Sequence, residues 1–371
     1  MNFSKNIIVA LSSTLLLAAC SDAAAPGQGI PNVGGAGGLP AAGAGSAGAP
    51  AQAGAGAGGS SGANGANGGA SGSPAAGAAG TATAGSAGSA GAGSAGAAGA
   101  GPVGGGIKSG SSTGCGKDVA DPIGEYKVHD LTVKGTPRKY WTKLPTGYDK
   151  SKPWPIVFYG PGCGLSSQKS EDSQLDASTK STAILVFMAY NAPSKSCFET
   201  GIADSPDPVY FGQALDEVQA GYCTDKGKVF VSGYSSGGWF ANLLSCTHGD
   251  RIRAIGTVAG GLTAALPATC KGSVSGIAYA GLQDSTNPIT KIENGKDTGS
   301  GAGRDRLLAV NGCTNETADW DPKWPFCKVY NKCKAGYPVV WCAENAGHSK
   351  GGTVSSEAFW KFWSSLPAVT D

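Results

Sequence analysis

The sequence KVFVSGYSSGGWFANLL at residues 228–244 contains a Gly-x-Ser-x-Gly pattern at Gly233, Ser235 and Gly237. The apolar run before the pattern indicates a buried strand, and the spacing of the apolar residues after it indicates a helix. A serine at a sharp turn between a strand and a helix is typical of a nucleophile elbow, which exposes the hydroxyl at the edge of a sheet. The pattern therefore predicts that Ser235 is a catalytic nucleophile.

The same pattern occurs twice more, at residues 58–62 and 110–114, in a chain that contains 62 glycines. No apolar run precedes Ser60 or Ser112, and no helical spacing follows either of them. An elbow needs both flanking elements. We therefore expect neither serine to be a nucleophile.

Apolar runs alternate with helical patterns throughout the second part of the chain. Continuous apolar runs at residues 153–160, 182–190, 228–234, 252–260 and 276–282 are typical of strands buried on both faces. Between them, a helix is expected to begin with Asp207 as N-cap and Pro208 at its first position, and residues 355–366 predict a second amphipathic helix. This alternation predicts an α/β fold, with a mostly parallel central sheet and helices on both faces.

The partners of a serine nucleophile on such a sheet follow in the order Ser, Asp, His. Asp284 comes just after the apolar run at 276–282, and His348 lies in a glycine-flanked loop after the apolar residues of YPVVWC. The predicted roles are His348 as general base and Asp284 as the carboxylate that orients the imidazole.

Other residues compete for these two roles. Asp284 also suits a loop-capping carboxylate, because DSTNP reads as a turn. The alternative acids are Asp305, Asp319 and Asp321. The chain has three histidines, and we expect His129 to be structural on an early strand. We expect His248 to complement a helix dipole as a cation.

The oxyanion of an acyl-transfer reaction needs two N–H donors. One is expected from Ser236, directly after the nucleophile, and the other from Cys163 in the glycine-rich loop FYGPGCG. An ordinary glycine turn with Cys163 in a disulfide is also compatible with this loop, since the donor would be a backbone group.

The start of the chain predicts export. Residues 1–19 have the charged and apolar regions of a secretory signal, and LAAC places a lipidated Cys20 after the cleavage site, although a plain secretory signal is the alternative. Residues 20–112 are rich in Gly, Ala and Ser and predict a disordered tether, which leaves 113–371 as the catalytic domain. We expect a protein exported to the cell surface or outer membrane, attached to the membrane only through lipid at Cys20.

Composition excludes some partners. The net charge is only +2, without a basic block, so no nucleic-acid partner is expected. Ten cysteines lie beyond Cys20, and an even number in an exported chain favours up to five disulfides over a metal site.

Several stretches resemble one family of secreted α/β-hydrolases, the feruloyl esterases together with the related polyhydroxybutyrate-depolymerase-like esterases. They are GCGK (114–117), PGCG (161–164), GYSSGG (233–238), RDRLLAVNGC (304–313) and FCKVYNKCKAGYPVVWCAENAGH (326–348). The resemblance implies a disulfide-stapled, cofactor-free esterase with an α/β-hydrolase fold and the triad Ser235, Asp284 and His348. Family members usually carry His-Gly where this chain has Gly160-Pro161-Gly162, and often His-Gly where it has Ala280-Gly281. Because of these two differences, the resemblance does not identify the acyl pocket or the ester that is hydrolysed.

The expected reaction is release of ferulate or a similar hydroxycinnamate from a plant polysaccharide. The alternatives are a polyester depolymerase or acetylxylan esterase, and a non-catalytic surface module with the same fold. Proposed contacts to a polymeric ester substrate are Gly164, Trp239, Trp320, Trp324 and Trp341. Trp239, just inside the helix, is expected in the core rather than at the substrate, whereas the loop-like stretch from Trp320 to Phe326 is the better binding candidate. The spacing of the late cysteines suggests Cys327–Cys333 and Cys313–Cys342 pairs, although sequence does not fix connectivity.

Overall fold

The computed structural model describes residues 107–165, 169–191 and 195–368. The predicted signal peptide, the lipidation site at Cys20, Ser60 and the tether up to residue 106 lie outside the described residues. Within the described part of the chain, no helix combines the length and the apolar character that crossing a membrane requires.

Ten strands form one mixed sheet in the order β1-β2-β4-β3-β5-β6-β7-β12-β11-β10, and β8 and β9 form a separate hairpin. The strands are β1 (Tyr126–Val133), β2 (Thr136–Lys143), β3 (Trp154–Gly160), β4 (Ile184–Met188), β5 (Thr224–Tyr234), β6 (Ala254–Val258), β7 (Ser275–Gly281), β8 (Ile292–Glu293), β9 (Lys296–Asp297), β10 (Thr317–Asp321), β11 (Trp324–Tyr330) and β12 (Val339–Glu344). The helices are α1 (Lys169–Thr179), α2 (Pro206–Gly221), α3 (Ser236–Thr247), α4 (Ser300–Asn311) and α5 (Phe359–Ser364), which follows a π-helical turn (Val354–Ala358).

Six central strands are parallel: β4, β3, β5, β6, β7 and β12. Antiparallel strands extend the sheet on both sides, β2 and β1 next to β4, and β11 and β10 next to β12. All five predicted buried strands are present, as β3 to β7. This strand order, with a serine turn after β5, confirms the α/β-hydrolase fold.

Successive residues of the central strands point to opposite faces of the sheet, and each face has its own core. Ile156 and Phe158 pack with residues of α2, α3 and α4. Val157 packs with Leu175 of α1 and with the aromatic residues of α5. The sheet is therefore covered by helices on both faces, as the continuous apolar runs predict.

The predicted start of one helix is wrong, and another predicted helix is of mixed type. The N-cap of α2 is Ser205, whose hydroxyl accepts the Asp207 N–H, and Asp207 instead pairs with Arg138 at 2.7 Å, both side chains being 2% exposed. A buried guanidinium thus holds the carboxylate that the sequence assigns to capping. The single helix expected at 355–366 is the π-helical turn followed by the short α5.

His248 lies at the end of α3, as expected, but not as a cation. Desolvation by burial, with Lys271 and Arg251 nearby, lowers its pKa from 6.5 to about 4. The expected interaction of a charged imidazole with the helix dipole is therefore wrong at neutral pH.

The ten cysteines of the described domain form five disulfides, which confirms the count. They are Cys115–Cys223, Cys163–Cys197, Cys246–Cys270, Cys313–Cys333 and Cys327–Cys342. Both suggested pairs are wrong, because Cys327 lies directly opposite Cys342 where β11 and β12 pair. That strand register brings the two Cα atoms to 3.9 Å and leaves Cys333 to Cys313.

The folded domain includes residues that the sequence assigns to the tether. Ile107 is only 3% exposed. The Ser112 hydroxyl donates to the Tyr222 carbonyl at 2.7 Å and accepts the Thr224 N–H at 2.9 Å. The predicted boundary at 113 is therefore too late, and Ser112 has a structural role.

Candidate active site

Ser235 occupies the turn between β5 and α3. Its backbone has φ 51° and ψ −114°, a conformation that a residue with a side chain rarely adopts. Its N–H donates to the Val258 carbonyl at 2.8 Å, and its carbonyl accepts the Trp239 N–H at 3.0 Å. These two bonds hold the strained turn, and strain of this kind concentrates at functional sites.

The glycines of the pattern allow the strand and the helix to meet. A Cβ atom on Gly233 would lie 2.3 Å from the Gly237 carbonyl carbon, and one on Gly237 would lie 1.8 Å from the Gly160 carbonyl oxygen. Larger residues at either position would push α3 away from β5 and β3. The glycine pattern is thus a steric requirement of the elbow.

His348 and Asp284 form the second part of the site. The Nδ1 atom of His348 lies 2.8 Å from Oδ2 of Asp284, whose side chain is fully buried while that of His348 is 21% exposed. The other carboxylate oxygen, Oδ1, accepts the backbone N–H groups of Thr286 and Asn287 at 2.9 and 2.8 Å. The carboxylate is therefore fixed from one side and presents its second oxygen to the imidazole.

The loop that carries His348 reaches the elbow. The imidazole centroid lies 5.2 Å from that of Tyr234, the residue directly before Ser235, and the Tyr234 hydroxyl donates to the His348 carbonyl at 3.4 Å. No hydrogen bond joins the hydroxyl of Ser235 to His348, two residues that the structure describes in full. Catalytic hydrogen bonds are often long in the absence of substrate and tighten when it binds.

The glycine-rich loop after β3 lies beside the nucleophile. A Cβ atom on Gly162 would be 3.4 Å from the Cβ atom of Ser235. Cys163, the next residue, is exposed, and Ser236 begins α3 with its N–H at the helix N-terminus. The loop that carries Cys163 therefore lies beside the elbow, where Ser236 begins α3.

A disulfide fixes this loop to the segment after β4. Cys163 is bonded to Cys197, and the N–H of Gly164 donates to the Ser196 carbonyl at 2.7 Å. The Phe198 N–H in turn donates to the Ser236 hydroxyl at 2.8 Å. Both expected donor residues are therefore tied to one short segment, residues 196–198, and Gly164 uses its own N–H inside this network.

The predicted aromatic contacts are not gathered at the site. Trp324 and Trp341 are only 3% and 8% exposed, and the stretch expected to be a loop is the hairpin of β10 and β11. The Trp320 ring stacks on Trp324 at 5.6 Å and packs against Phe362 of α5. Trp324 and Trp341 are thus buried, Trp320 is partly buried against the core, and Trp239 is half-buried in the first turn of α3, next to the nucleophile.

The competing acids have other partners. Asp305 pairs with Arg304, Asp319 with Lys328 and Asp321 with Lys361. His129 lies on β1 with its Nε2 atom 2.7 Å from the Thr142 hydroxyl and 3.2 Å from Asp121. These contacts are structural, as expected for His129.

Two residues that hold the loops of Asp284 and His348 were not predicted from the sequence. Asn287 donates its amide to the Ala259 carbonyl at 2.6 Å and thereby fixes the turn that holds Asp284. The Tyr279 hydroxyl donates to Glu344 at 2.9 Å and lies 3.2 Å from the Ser349 hydroxyl, next to His348. The Asn in DSTNP is a turn signal that could have indicated the first role, but no sequence pattern indicates the second.

Together the sheet, the elbow and the buried Asp–His pair match the arrangement that α/β-hydrolases use for a serine nucleophile. No protein-family model matches the chain. Similarity to individual proteins is nevertheless clear. The chain is 24% identical over 257 residues to feruloyl esterase D of Neurospora crassa, covering 64% of this chain and 82% of the relative. It is also 24% identical over 272 residues to feruloyl esterase C of Emericella nidulans, covering 69% and 92%.

Solved structures are more distant. An acetyl xylan esterase from Aspergillus awamori has a TM-score of 0.48 at 13% identity, covering 64% of this chain and 99% of its own. A ferulic acid esterase from Anaeromyces mucronatus, solved with ferulic acid, has a TM-score of 0.42 at 15% identity, covering 68% and 94%. The named sequence relatives are feruloyl esterases, and this chain is their homologue.

Proposed function

We propose that the protein hydrolyses carboxylic esters with Ser235 as nucleophile, His348 as general base and Asp284 as the orienting carboxylate. The observation that carries the proposal is the 2.8 Å contact between His348 Nδ1 and the buried Asp284, beside the strained Ser235 turn. Because Asp284 occupies Nδ1, Nε2 is the ring nitrogen left for the serine. The oxyanion donors in this proposal are the N–H groups of Ser236 and Cys163.

The proposed reaction has two halves. The Ser235 hydroxyl loses its proton to His348 Nε2 and attacks the ester carbonyl carbon, and the negative oxygen is held by the two N–H donors. The imidazolium then gives its proton to the leaving alcohol, which departs as the acyl-enzyme forms. Water repeats the sequence in the second half, which releases the acid and regenerates Ser235.

The proposed substrates are hydroxycinnamate esters of plant polysaccharides. This step is supported by homology to feruloyl esterases at 24% identity over most of the described domain. Purified protein would be compared on methyl ferulate, p-nitrophenyl acetate, acetylated xylan and short polyhydroxybutyrate oligomers. We expect the highest kcat/KM on methyl ferulate. Turnover of acetate or hydroxybutyrate esters without turnover of ferulate would overturn the substrate assignment but not the esterase.

The nucleophile is tested separately from the substrate. A fluorophosphonate probe reacts with activated serines, so we expect wild-type protein to be labelled and Ser235→Ala not to be labelled. Unlabelled wild-type protein, with no turnover of any ester, would support a non-catalytic module instead. Labelling that persists in Ser235→Ala would place the nucleophile elsewhere.

We also propose that the domain is displayed from a membrane through Cys20. Residue 112 is hydrogen-bonded to Thr224 at the start of β5, whereas Ser235 follows the end of that strand. Because β5 has 11 residues and a strand rises about 3.3 Å per residue, these two points lie roughly 35 Å apart. The described chain therefore begins near the edge of the sheet opposite Ser235, so an anchor upstream of residue 107 would be attached away from the catalytic edge. Cys20→Ala should move the full-length protein from the membrane fraction to the soluble fraction, and an unchanged distribution would contradict the anchor.

A further inference from the structure

The side chain of Tyr234 lies where the two halves of the site meet. Tyr234 is the last residue of β5, and its half-buried ring packs against the His348 imidazole, with 5.2 Å between the centroids and 40° between the planes. Its hydroxyl also donates to the His348 carbonyl at 3.4 Å. One side chain on the rigid sheet therefore contacts both the ring and the backbone of the proposed base.

The same ring contacts the loop that carries the oxyanion donor. A Cβ atom on Gly162 would lie 2.9 Å from Cδ1 and 3.1 Å from Cε1 of Tyr234. The backbone at Gly162 thus packs closely against the ring and has no room for a side chain. Cys163 follows directly, so the position of its N–H depends on how the Gly162 backbone lies against Tyr234.

Hydrogen bonds of another tyrosine, Tyr279, also hold the loop that bears His348. The Tyr279 hydroxyl lies between Glu344 and the Ser349 hydroxyl, at 2.9 and 3.2 Å. These contacts fix the backbone after His348, but none of them touches the imidazole. Asp284 holds the Nδ1 atom of the His348 imidazole, and the ring of Tyr234 packs against the imidazole and limits how far it can tilt.

We propose that Tyr234 is a positioning residue that sets the imidazole of His348 and the oxyanion loop relative to Ser235. The proposal rests on the esterase function proposed above. It assigns the effect to the flat ring, because the ring makes the contacts to both His348 and Gly162. Displacement of reacting groups by about 1 Å can reduce a rate by about 10²-fold.

The test compares Tyr234→Leu, which removes the ring, with Tyr234→Phe, which keeps it. A matched control is Tyr126→Leu, which removes another half-buried tyrosine ring, on β1. Three quantities are measured on the full-length protein: kcat and KM for p-nitrophenyl acetate, the rate of fluorophosphonate labelling, and Tm. The labelling rate reports on the serine, the base and the oxyanion donors without depending on the natural substrate.

For Tyr234→Leu we expect kcat and the labelling rate to fall by about 10- to 100-fold, with KM nearly unchanged. For Tyr234→Phe we expect both rates to stay within about threefold of wild type, since the ring contacts persist and the 3.4 Å hydrogen bond to the His348 carbonyl is weak. Tyr126→Leu should keep wild-type rates even if its Tm falls. If Tyr234→Leu does not fold, Tyr234→Met fills the space without a flat ring, and the same losses are expected.

Two results would overturn the proposal. One is a Tyr234→Leu or Tyr234→Met protein that folds and reacts at the wild-type rate. The other is a Tyr234→Phe protein as slow as Tyr234→Leu, which would assign the effect to the hydroxyl. Fluorophosphonate labelling of Ser235→Ala would instead contradict the proposed nucleophile. Failure of the Tyr234 proposal can therefore be distinguished from failure of the proposed function.

Discussion

The two edges of the central sheet are built in different ways. At the carboxyl edge the backbone is strained, with positive φ at Ser235 and Ala259, and a fully buried carboxylate faces a histidine. At the amino edge, the buried Arg253 donates to the Ser275 hydroxyl at 2.9 Å and to the carbonyls of Gly336 and Pro367 at 2.8 and 3.1 Å. The strained backbone and the Asp284–His348 pair at the first edge prepare chemistry, whereas the hydrogen bonds of Arg253 at the second edge hold distant segments together.

This comparison predicts that variants at the carboxyl edge change turnover, while variants at the amino edge change stability. The largest expected effect is that of Asp284→Asn. The amide oxygen can still accept the N–H groups of Thr286 and Asn287, but the amide NH₂ would favour the wrong tautomer of His348. We expect kcat to fall by about 10⁴-fold with little change in Tm. A fall of less than about tenfold, measured on the best ester, would show that another acid orients the base.

Two disulfides test the comparison directly, because they lie at opposite edges. Cys115–Cys223 closes 108 residues next to the start of β5, and Cys163–Cys197 holds the loop beside Ser235. Removing Cys115–Cys223 with two serines should cost about 2–5 kcal/mol of unfolding free energy and leave kcat of the folded protein unchanged. Denaturant unfolding and kcat measured on the same samples would separate the two effects.

Removing Cys163–Cys197 should also lower stability, but in addition it frees the oxyanion loop. Loss of a donor costs about 10²–10³ in turnover, and a displaced donor should cost less, about 10- to 100-fold. The matched comparison is the Cys115→Ser/Cys223→Ser protein. Equal kcat values in the two double variants would contradict the assignment of catalytic positioning to the first edge alone.

His248, at the end of α3, predicts an effect of pH on stability. Burial lowers the pKa of His248 from 6.5 to about 4 in the folded protein. Between these values the unfolded chain binds more protons than the folded one, so the free energy of unfolding falls as pH is lowered from about 6.5 to 4. His248→Gln removes this contribution, and we expect its stability to fall less steeply over that range. Denaturant unfolding at pH 7, 5.5 and 4.5 measures both slopes, and identical slopes would contradict the prediction.

Much of this architecture could be predicted because it depends on local patterns. Glycine spacing around Ser235 reflects a steric contact between adjacent elements, and continuous apolar runs reflect burial on both faces of the sheet. The order of Ser235, Asp284 and His348 follows from the fold, because all three follow the carboxyl ends of parallel strands. The glycine pattern and the apolar runs each lie within one short stretch of sequence, and so do the loops that carry Asp284 and His348.

The features that were predicted wrongly depend on contacts between segments that are distant in sequence. The register of β11 and β12 decides that Cys327 pairs with Cys342, and no spacing within the chain encodes it. Asp207 resembles an N-cap until Arg138, 69 positions earlier, takes its carboxylate. Trp324 and Trp341 resemble binding aromatics only while the strands that bury them are unknown. Long-range packing therefore decides which polar and aromatic residues belong to a site.

The smallest expected effect comes from a charge pair outside both edges. Lys328 on β11 pairs with Asp319 on β10, with side chains 44% and 82% exposed. Solvent screens such pairs, and each contributes about 0.2–1 kcal/mol at most, so Lys328→Ala should change the free energy of unfolding by less than about 0.5 kcal/mol and leave kcat unchanged. A double-mutant cycle with Asp319→Ala measures the coupling in denaturant unfolding. A coupling above about 1 kcal/mol, or any loss of turnover, would mean that this hairpin contributes to the site, and the division of roles between the two edges of the sheet would then be incomplete.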